Sequence, residues 1–184
     1  MGKSTTDGAG APAAGIASAR AVLTMLALEA RHRLQGAGQF QFRPALLGFI
    51  IDPTGRDRAF AVSVVARHVG VPVHRVDMST IVQAEQSKDN FTRMFFAAER
   101  AGVVLYFDHA DALFNAPGPT EEHPFGRFDP DFLLQRLDSF EGVVIAAIHR
   151  REMIAEPLLK RARHVVDFTP RQRPAPAAPA DLGD

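Results

Sequence analysis

Residues 45–59 read Ala-Leu-Leu-Gly-Phe-Ile-Ile-Asp-Pro-Thr-Gly-Arg-Asp-Arg-Ala, which is an apolar run followed by a polar loop. An uninterrupted apolar run of this length is typical of a strand that is buried on both faces of a sheet. The loop leads directly into residues 59–69, where the pattern favours a helix. The stretch therefore predicts a strand, a loop and a helix in succession, which is the repeating unit of an α/β fold.

The same alternation of apolar runs and helical stretches continues along the chain. Four further runs lie at residues 71–76, 103–107, 143–148 and 164–168. Helices are predicted at residues 17–34, 87–101, 131–140 and 157–163. The pattern predicts a doubly wound α/β fold with a parallel sheet of about five strands, which binds ligands at the carboxyl ends of its strands.

Length and composition indicate one domain with two tails. The chain has 184 residues, of which 46% are hydrophobic, and this is enough to bury a core. Residues 1–16 are rich in small residues and residues 170–184 alternate Pro and Ala, so both segments are predicted to be disordered tails. The folded domain, with its leading helix, is therefore expected at residues 17–169.

Charge and cysteine content exclude several classes of protein. The 21 basic and 21 acidic side chains balance, so no net charge draws the chain to nucleic acid or to an anionic membrane. The absence of cysteine excludes disulfides, thiolate nucleophiles and iron–sulfur clusters. No apolar run approaches the roughly 18 residues of a spanning helix, and the N-terminus lacks the pattern of a secretory signal. We therefore expect a cytoplasmic protein with no nucleic-acid or membrane partner.

The loop after the first run stands where a phosphate-binding loop of pattern G-x-x-x-x-G-K, followed by Ser or Thr, would be expected. The four defining positions hold Asp52, Asp57, Arg58 and Ala59, and none of them matches. Two aspartates repel polyphosphate and Ala59 has no hydroxyl for magnesium, although Arg58 keeps a positive charge. Taken alone, the loop is explained better as an ordinary strand-to-helix turn. The candidate cofactor-binding residues are Pro53, Thr54, Gly55, Arg56, Asp57, Arg58, Ala59 and, after the fourth run, His149.

From residue 45 to residue 169 the chain resembles the core domain of the AAA+ ATPases. The stretches that carry the resemblance are Arg75-Val76-Asp77-Met78-Ser79 and residues 107–114, 132–142, 143–151 and 158–168. The finer resemblance is to the AAA proteins of phage-tail-like contractile injection systems. The resemblance implies a P-loop NTPase-like three-layer sandwich, with ATP and magnesium as cofactors.

The resemblance also implies roles for residues at the strand ends. Asp108 takes the position of the carboxylate that orders magnesium, and His109 stands where the family has a catalytic Glu. His149 stands where a polar Asn normally senses the γ-phosphate. Arg161, with Lys160 beside it, takes the arginine-finger position.

Several functional parts of the family are replaced or missing. Residues 83–89 are shorter than the family's pore loop and contain no aromatic residue, and no helical lid is expected after residue 169. A maintained fold with lost chemistry predicts a degenerate, non-hydrolysing structural or regulatory subunit that binds ATP weakly at most. The implied partner is an active AAA+ subunit or a second copy of the chain. The basic segment 150–163 and the acidic segment 108–131 are expected to meet in such a contact, although two solvated charged faces explain the same residues.

Two other interpretations remain open from the sequence. In the first, the protein is a weakly active ATPase in which Arg58 replaces the lysine, Asp108 binds magnesium and His109 accepts the proton of water. In the second, Asp108, His109 and His149 bind a transition metal, because the third and fourth strands would be neighbours. Alternation along a strand opposes the second interpretation, since adjacent residues point to opposite faces.

Overall fold

The structure, a computed structural model, describes residues 10–36, 42–82, 87–115 and 130–170. These ranges contain five strands and seven α-helices. In chain order the elements are α1 (Gly10–Gln35), β1 (Leu46–Ile51), α2 (Arg58–Val69), β2 (Val73–Asp77), α3 (Met78–Val82), α4 (Ser87–Ala101), β3 (Val104–Asp108), α5 (Ala112–Asn115), α6 (Pro130–Asp138), β4 (Val143–Ile148), α7 (Glu156–Arg161) and β5 (His164–Asp167). A 3₁₀ turn at Arg151–Met153 precedes α7.

The five strands form one parallel sheet in the order β2-β3-β4-β1-β5. The prediction of an α/β fold with a five-stranded parallel sheet is confirmed, and β3 and β4 are neighbours as expected. Because parallel strands end at the same edge of a sheet, the last residues of β2 and β3 and the residues that follow β1 and β4 lie along one edge. These residues are Asp52, Asp77, Asp108 and His149.

Helices cover both faces of the sheet, so the molecule has three layers. On one face α1 and α2 pack through buried side chains such as Leu23, Leu26 and Val65. On the other face α4, α6 and α7 pack through Phe91, Leu137 and Leu158. β1, β3 and β4 are buried along their whole length, which is why their sequences are uninterrupted apolar runs.

The expectation that every strand is buried on both faces is wrong for β2. This strand lies at one edge of the sheet, and only Val76 is buried in it. β5 lies at the other edge, and only Val166 is buried there. An edge strand has a neighbour on one side only, so side chains such as His74 and Arg75 are exposed to solvent.

The first helix is longer than predicted. α1 begins at Gly10, within the segment that composition assigns to a disordered tail, and not at residue 17. Residues 10–16 include three alanines, and alanine has the highest helix propensity. The short helices α3 and α5 and the 3₁₀ turn were also not predicted. Although α1 has 26 residues, neither it nor another helix in the described ranges is long and apolar enough to cross a membrane.

Several predicted features lie outside the described residues. They include the tails at residues 1–9 and 171–184, the segment 83–86 of the shortened pore loop, and Glu121, Glu122 and Asp129 of the acidic segment. The described part of the chain extends to Pro170, and no helical domain follows β5 within it.

Gly48 in β1 lets α1 approach the sheet closely. A β-carbon at this position would lie 2.8 Å from Leu26 Cδ1, so a larger residue would displace the Leu26 side chain. α1 is also tied to the start of β5, because the Glu29 carboxylate is 2.6 Å from His164 Nε2 and accepts a hydrogen bond from Arg163 Nε over 3.2 Å. These contacts hold α1 against the sheet.

Candidate nucleotide site at the carboxyl edge of the sheet

The loop between β1 and α2 is closed around the side chain of Asp52. Asp52 follows β1 directly and is 1% exposed. Its Oδ1 accepts hydrogen bonds from the backbone N–H groups of Thr54 (3.1 Å) and Gly55 (3.0 Å) and from the Thr54 hydroxyl (2.9 Å). Its Oδ2 accepts the backbone N–H of Asp57 over 2.8 Å. The carboxylate therefore holds three N–H groups of the loop.

Backbone N–H groups of this kind are the donors that a phosphate-binding loop presents to phosphate. Such a loop turns N–H groups inward at a helix N-terminus, where the helix dipole also favours an anion. Here the anion that these N–H groups bind is the Asp52 carboxylate, which is part of the chain. Gly55, with a φ of 71°, makes the turn that directs the amides at Asp52, and Asp57 makes no side-chain cap to α2.

Arg58, the first residue of α2, forms a buried ion pair with Asp108 at the end of β3. Arg58 Nη1 lies 3.1 Å from Asp108 Oδ1, and the two side chains are 7% and 2% exposed. Arg75 of β2 binds the other oxygen, because its Nε donates to Oδ2 over 2.9 Å and its Nη2 donates to the same oxygen. Asp108 therefore bridges one buried guanidinium and one that is 62% exposed.

The surroundings of Asp108 keep its carboxyl ionised. Burial alone would raise the pKa of Asp108, but the hydrogen bond and charge of Arg75, followed by the charges of His109 and Arg58, lower that pKa below its ordinary value of 3.8. The hydroxyl of Tyr106 on the same strand is buried and has no hydrogen-bond partner among the described residues. Burial, followed by the charge of Asp108, raises the pKa of Tyr106, so the phenol stays neutral.

Magnesium and a nucleoside triphosphate do not fit this arrangement of side chains. Both oxygens of Asp108 are bound by guanidinium groups, and Ala59 offers no hydroxyl as a second ligand. A phosphate would have to displace the Asp52 carboxylate from the loop amides and would meet its negative charge. Arg58, in the lysine position, directs Nη1 at Asp108, while its Nε and Nη2 are buried without partners in the described part of the chain.

Two histidines face each other at the same edge of the sheet. His109 and His149 are the first residues after β3 and β4, and their ring centres are 6.3 Å apart with 33° between the planes. His149 Nδ1 lies 2.7 Å from Asp111 Oδ2, and its backbone N–H donates to Asp111 Oδ1 over 2.9 Å. His109 Nδ1 lies 3.5 Å from Asp77 Oδ1. Each imidazole therefore has a carboxylate beside its Nδ1.

The metal set considered from the sequence, Asp108 with His109 and His149, is not formed. Asp108 is bound by the two arginines, whereas His109, with a φ of 51°, turns its ring toward His149. Over residues 10–36, 42–82, 87–115 and 130–170, no three metal-ligating side chains are placed to hold one ion. The physical reason is that the guanidinium groups of Arg58 and Arg75 already bind both oxygens of Asp108, although His109 Nδ1 lies only 3.9 Å from Asp108 Oδ1.

The residues in the arginine-finger position are engaged within the chain. Arg161 Nε donates to Asp138 Oδ1 over 3.1 Å, and its Nη2 donates to the carbonyl oxygen of Ala45 over 3.0 Å. Lys160 is exposed, and its Nζ lies 2.7 Å from Glu156 Oε1 one helical turn earlier. Arg161 therefore joins α7 to α6 and to the start of β1, and both of these hydrogen bonds are made within its own chain.

Sequence reasoning did not identify Arg75, Asp111 or the inward orientation of Asp52. Arg75 meets Asp108 only because β2 pairs with β3 in one register, which the sequence of β2 does not fix. Asp111 meets a histidine 38 positions away on the next strand. The sequence Asp-Pro-Thr-Gly that begins at Asp52 is typical of a turn in which Asp accepts nearby backbone N–H groups, so this contact had a detectable signal.

Solved structures include a similar fold. The chain is similar to the structure described as "Crystal structure of FIGL-1 AAA domain in complex with ADP", with a TM-score of 0.61 and 14% sequence identity. The match covers 82% of this chain and 52% of that one, so this chain spans about half of the length of the matched protein. At this identity the likeness shows a shared fold. No curated protein sequence matches the chain.

A family model gives the more direct assignment. The model described as "ATPase family associated with various cellular activities (AAA)" matches residues 50–170. This range begins in β1, includes the loop around Asp52 and the end of β3, and extends past β5. Because the match covers more than half of the chain, and the five-stranded sheet agrees with it, the protein belongs to the AAA family.

Proposed function

We propose that this protein is a non-hydrolysing member of the AAA family that acts as a structural or regulatory subunit. The observation that carries the proposal is the Asp52 carboxylate, which accepts the backbone N–H groups of Thr54, Gly55 and Asp57. Those N–H groups would otherwise be available to phosphate. A nucleotide could use them only after the carboxylate has left, and the displaced Asp52 carboxylate would then lose its hydrogen bonds to these groups.

The charges around the loop add to this argument. Asp52 and Asp57 both oppose a triphosphate electrostatically, and the single cation at the start of α2, Arg58, is already paired with Asp108 over 3.1 Å. The carboxylate that the family resemblance assigns to magnesium is held on its second oxygen by Arg75. The site therefore offers a triphosphate neither the three loop amides that Asp52 holds nor a buried cation that is free of a carboxylate, and ATP binds weakly at most.

We propose further that the protein works by contact with a protein partner in the cytoplasm, either an active AAA+ subunit or a second copy of this chain. Arg56, Arg150 and Arg151 are exposed near the carboxyl edge of the sheet, and none has a carboxylate partner among the residues that the structure describes. Exposed unpaired arginines are suited to an acidic partner surface. The sequence resemblance suggests a contractile injection system as the assembly.

Titration of the full chain with Mg-ATP in a calorimeter tests the first proposal. We expect no saturable binding up to about 1 mM ATP, because the loop amides and Asp108 are occupied by the chain itself. Phosphate release is expected to be no faster than in the variant Asp108→Asn. Saturable binding in the micromolar range would contradict the proposal. Release above that of the variant would instead support a weakly active ATPase in which Arg58, Asp108 and His109 take the catalytic roles.

Size-exclusion chromatography with light scattering tests the contact with a partner. We expect the wild-type chain to form a dimer or larger species, or a complex with an added AAA+ ATPase from the same cell. The double variant Arg150→Glu with Arg151→Glu is expected to lose that species, because the charge of the contact surface is reversed. Arg67→Glu, at the opposite end of the domain, is the matched control. A strict monomer that forms no complex would overturn the proposal.

A further inference from the structure

A cavity of about 340 Å³ lies between the carboxyl-terminal ends of α1 and α2, and the proposed function does not use it. Its lining includes residues of both helices together with Gly70 and Val71, which lead from α2 into β2. Because α2 begins after β1 and ends before β2, the cavity lies at the amino edge of the sheet, opposite to the loop around Asp52. We propose that it binds a small organic anion, in which an oxyanion group is joined to an apolar body.

The first observation is the charge of the lining. Arg31 of α1 and Arg67 of α2 both line the cavity, and both are exposed. Neither side chain forms an ion pair or a hydrogen bond with another residue in the described ranges, and the described lining contains no Asp or Glu. A cavity lined by charges of one sign concentrates ions of the opposite sign. The two unpaired guanidinium groups therefore favour an anion as the ligand.

The ends of the two helices do not cancel this charge. Free carbonyl groups give the carboxyl-terminal end of a helix a partial charge of about −0.5, and basic side chains near such ends commonly balance it. The two helices together contribute about one negative charge, whereas Arg31 and Arg67 contribute two positive charges. The cavity therefore keeps a net positive charge. A guanidinium group is also suited to an oxyanion, because it donates two parallel hydrogen bonds to carboxylate or phosphate.

The second observation is the apolar part of the lining. Leu34, Val69 and Val71 line the cavity and belong to the hydrophobic core between α1, α2 and the sheet. An inorganic ion would leave these side chains in contact with water, whereas an apolar body would cover them. The volume lies near the lower end of the range of about 300–1,000 Å³ that is typical of small-molecule sites. The ligand is therefore expected to be a small organic molecule and not a bare ion.

His68 forms a part of the lining whose position is fixed. Its Nδ1 lies 2.8 Å from the carbonyl oxygen of Val64, one turn earlier in α2. A carbonyl oxygen only accepts hydrogen bonds, so Nδ1 carries the proton and donates. A side chain that is already held in the free protein loses little conformational entropy when a ligand binds. The two exposed arginines must still be ordered, so we expect a dissociation constant on the order of 1 mM for a small probe.

Titration of the ¹⁵N-labelled full chain with phenyl phosphate, monitored by ¹H–¹⁵N correlation spectra, tests the inference. Phenyl phosphate joins an oxyanion group to an aromatic ring. We expect saturable shifts of the backbone N–H resonances of Gly70 and Val71 and of the Nε–H resonances of Arg31 and Arg67. Inorganic phosphate and phenol each supply one part of the probe, and we expect each to bind at least about tenfold more weakly. Equal binding of inorganic phosphate would overturn the assignment of an organic ligand.

The variants Arg31→Gln and Arg67→Gln each remove one guanidinium group from an exposed position, so we expect them to fold as the wild type does. Each is expected to weaken the binding of phenyl phosphate about 3–10-fold. Arg93→Gln, which removes an exposed arginine from α4 on the other face of the sheet, is the matched control and should bind as the wild type does. No saturable shift in the wild type, or unchanged binding in either variant, would overturn the inference. Shifts confined to Thr54 and Gly55 would also overturn it, because they would place the probe in the loop after β1.

Discussion

Replacement of Asp108 by alanine is expected to lower the free energy of unfolding by about 3–5 kcal/mol. The change removes the partner of Arg58, whose side chain is 7% exposed and whose Nε and Nη2 have no other partner among the described residues. A buried cation without a counter-charge is poorly solvated by the apolar core around it. Urea denaturation followed by circular dichroism measures the loss.

The matched comparison for this prediction is the double variant Asp108→Ala with Arg58→Met. Removal of both charges leaves no stranded cation, so we expect the double variant to be more stable than Asp108→Ala alone by about 1–4 kcal/mol. Arg75→Ala removes the exposed partner and is expected to cost only about 0.2–1 kcal/mol. A double variant as unstable as Asp108→Ala would contradict the assignment of a buried ion pair.

The ionised Asp108 carboxyl also makes the stability of the fold sensitive to acid. Burial raises the pKa of Asp108, but the hydrogen bond and charge of Arg75 lower it by more, so the folded pKa lies below that of the unfolded chain. The unfolded chain therefore takes up the proton first, and the stabilisation by the ionised carboxyl is full above about pH 4 and is lost below it. Between about pH 5 and pH 3, we expect wild-type stability to fall more steeply than that of Asp108→Asn. If stability fell equally steeply with pH in the two proteins, ionisation of Asp108 would not be the cause of the acid sensitivity.

Replacement of Asp52 by glycine is expected to have two effects, a loss of about 2–3 kcal/mol in the free energy of unfolding and the opening of an anion site. The stability falls because the backbone N–H groups of Thr54, Gly55 and Asp57 lose their acceptor at the start of α2. The same N–H groups then become available to phosphate. Phosphate should therefore raise the melting temperature of the variant more than that of the wild type.

Thermal unfolding in sodium phosphate and in sodium chloride of equal ionic strength separates this site from a general salt effect. Phosphate stabilises many folded proteins by exclusion from their surfaces, so the wild type provides the baseline. Asp52→Asn keeps one oxygen acceptor without the charge, and we expect it to lie between the wild type and Asp52→Gly. If phosphate raises the melting temperatures of all three proteins equally, the Asp52 carboxylate does not occupy an anion-binding site, and the proposed function loses its main support.

The fold was predictable from the sequence because strands buried on both faces consist of uninterrupted apolar residues, and such runs are visible in the sequence. β1, β3 and β4 lie in the interior of the sheet, and each was found within one residue of its bounds as an uninterrupted apolar run. The errors in the prediction lie where the apolar pattern is weak. β2 is an edge strand with three exposed polar residues, and α1 extends into an alanine-containing segment that composition alone does not distinguish from a tail.

The candidate site was predictable only in part. The positions of Asp52, Arg58, Asp108 and His149 at one edge follow from the rule that parallel strands end together. Their partners do not follow from that rule. Arg58 and Asp108 are 50 positions apart, and Arg75 and Asp108 are 33 positions apart, so each pairing depends on strand order and register.

By itself the sequence determined an α/β domain of the AAA family in which Asp52, Asp57 and Ala59 replace the residues that bind phosphate and magnesium. Only the tertiary structure decided what these replacements do. It turns the Asp52 carboxylate onto the loop amides and places Asp108 between two guanidinium groups. The physical reason is that hydrophobic periodicity is a short-range property of the chain, whereas the partner of a charge depends on which distant strand lies beside it.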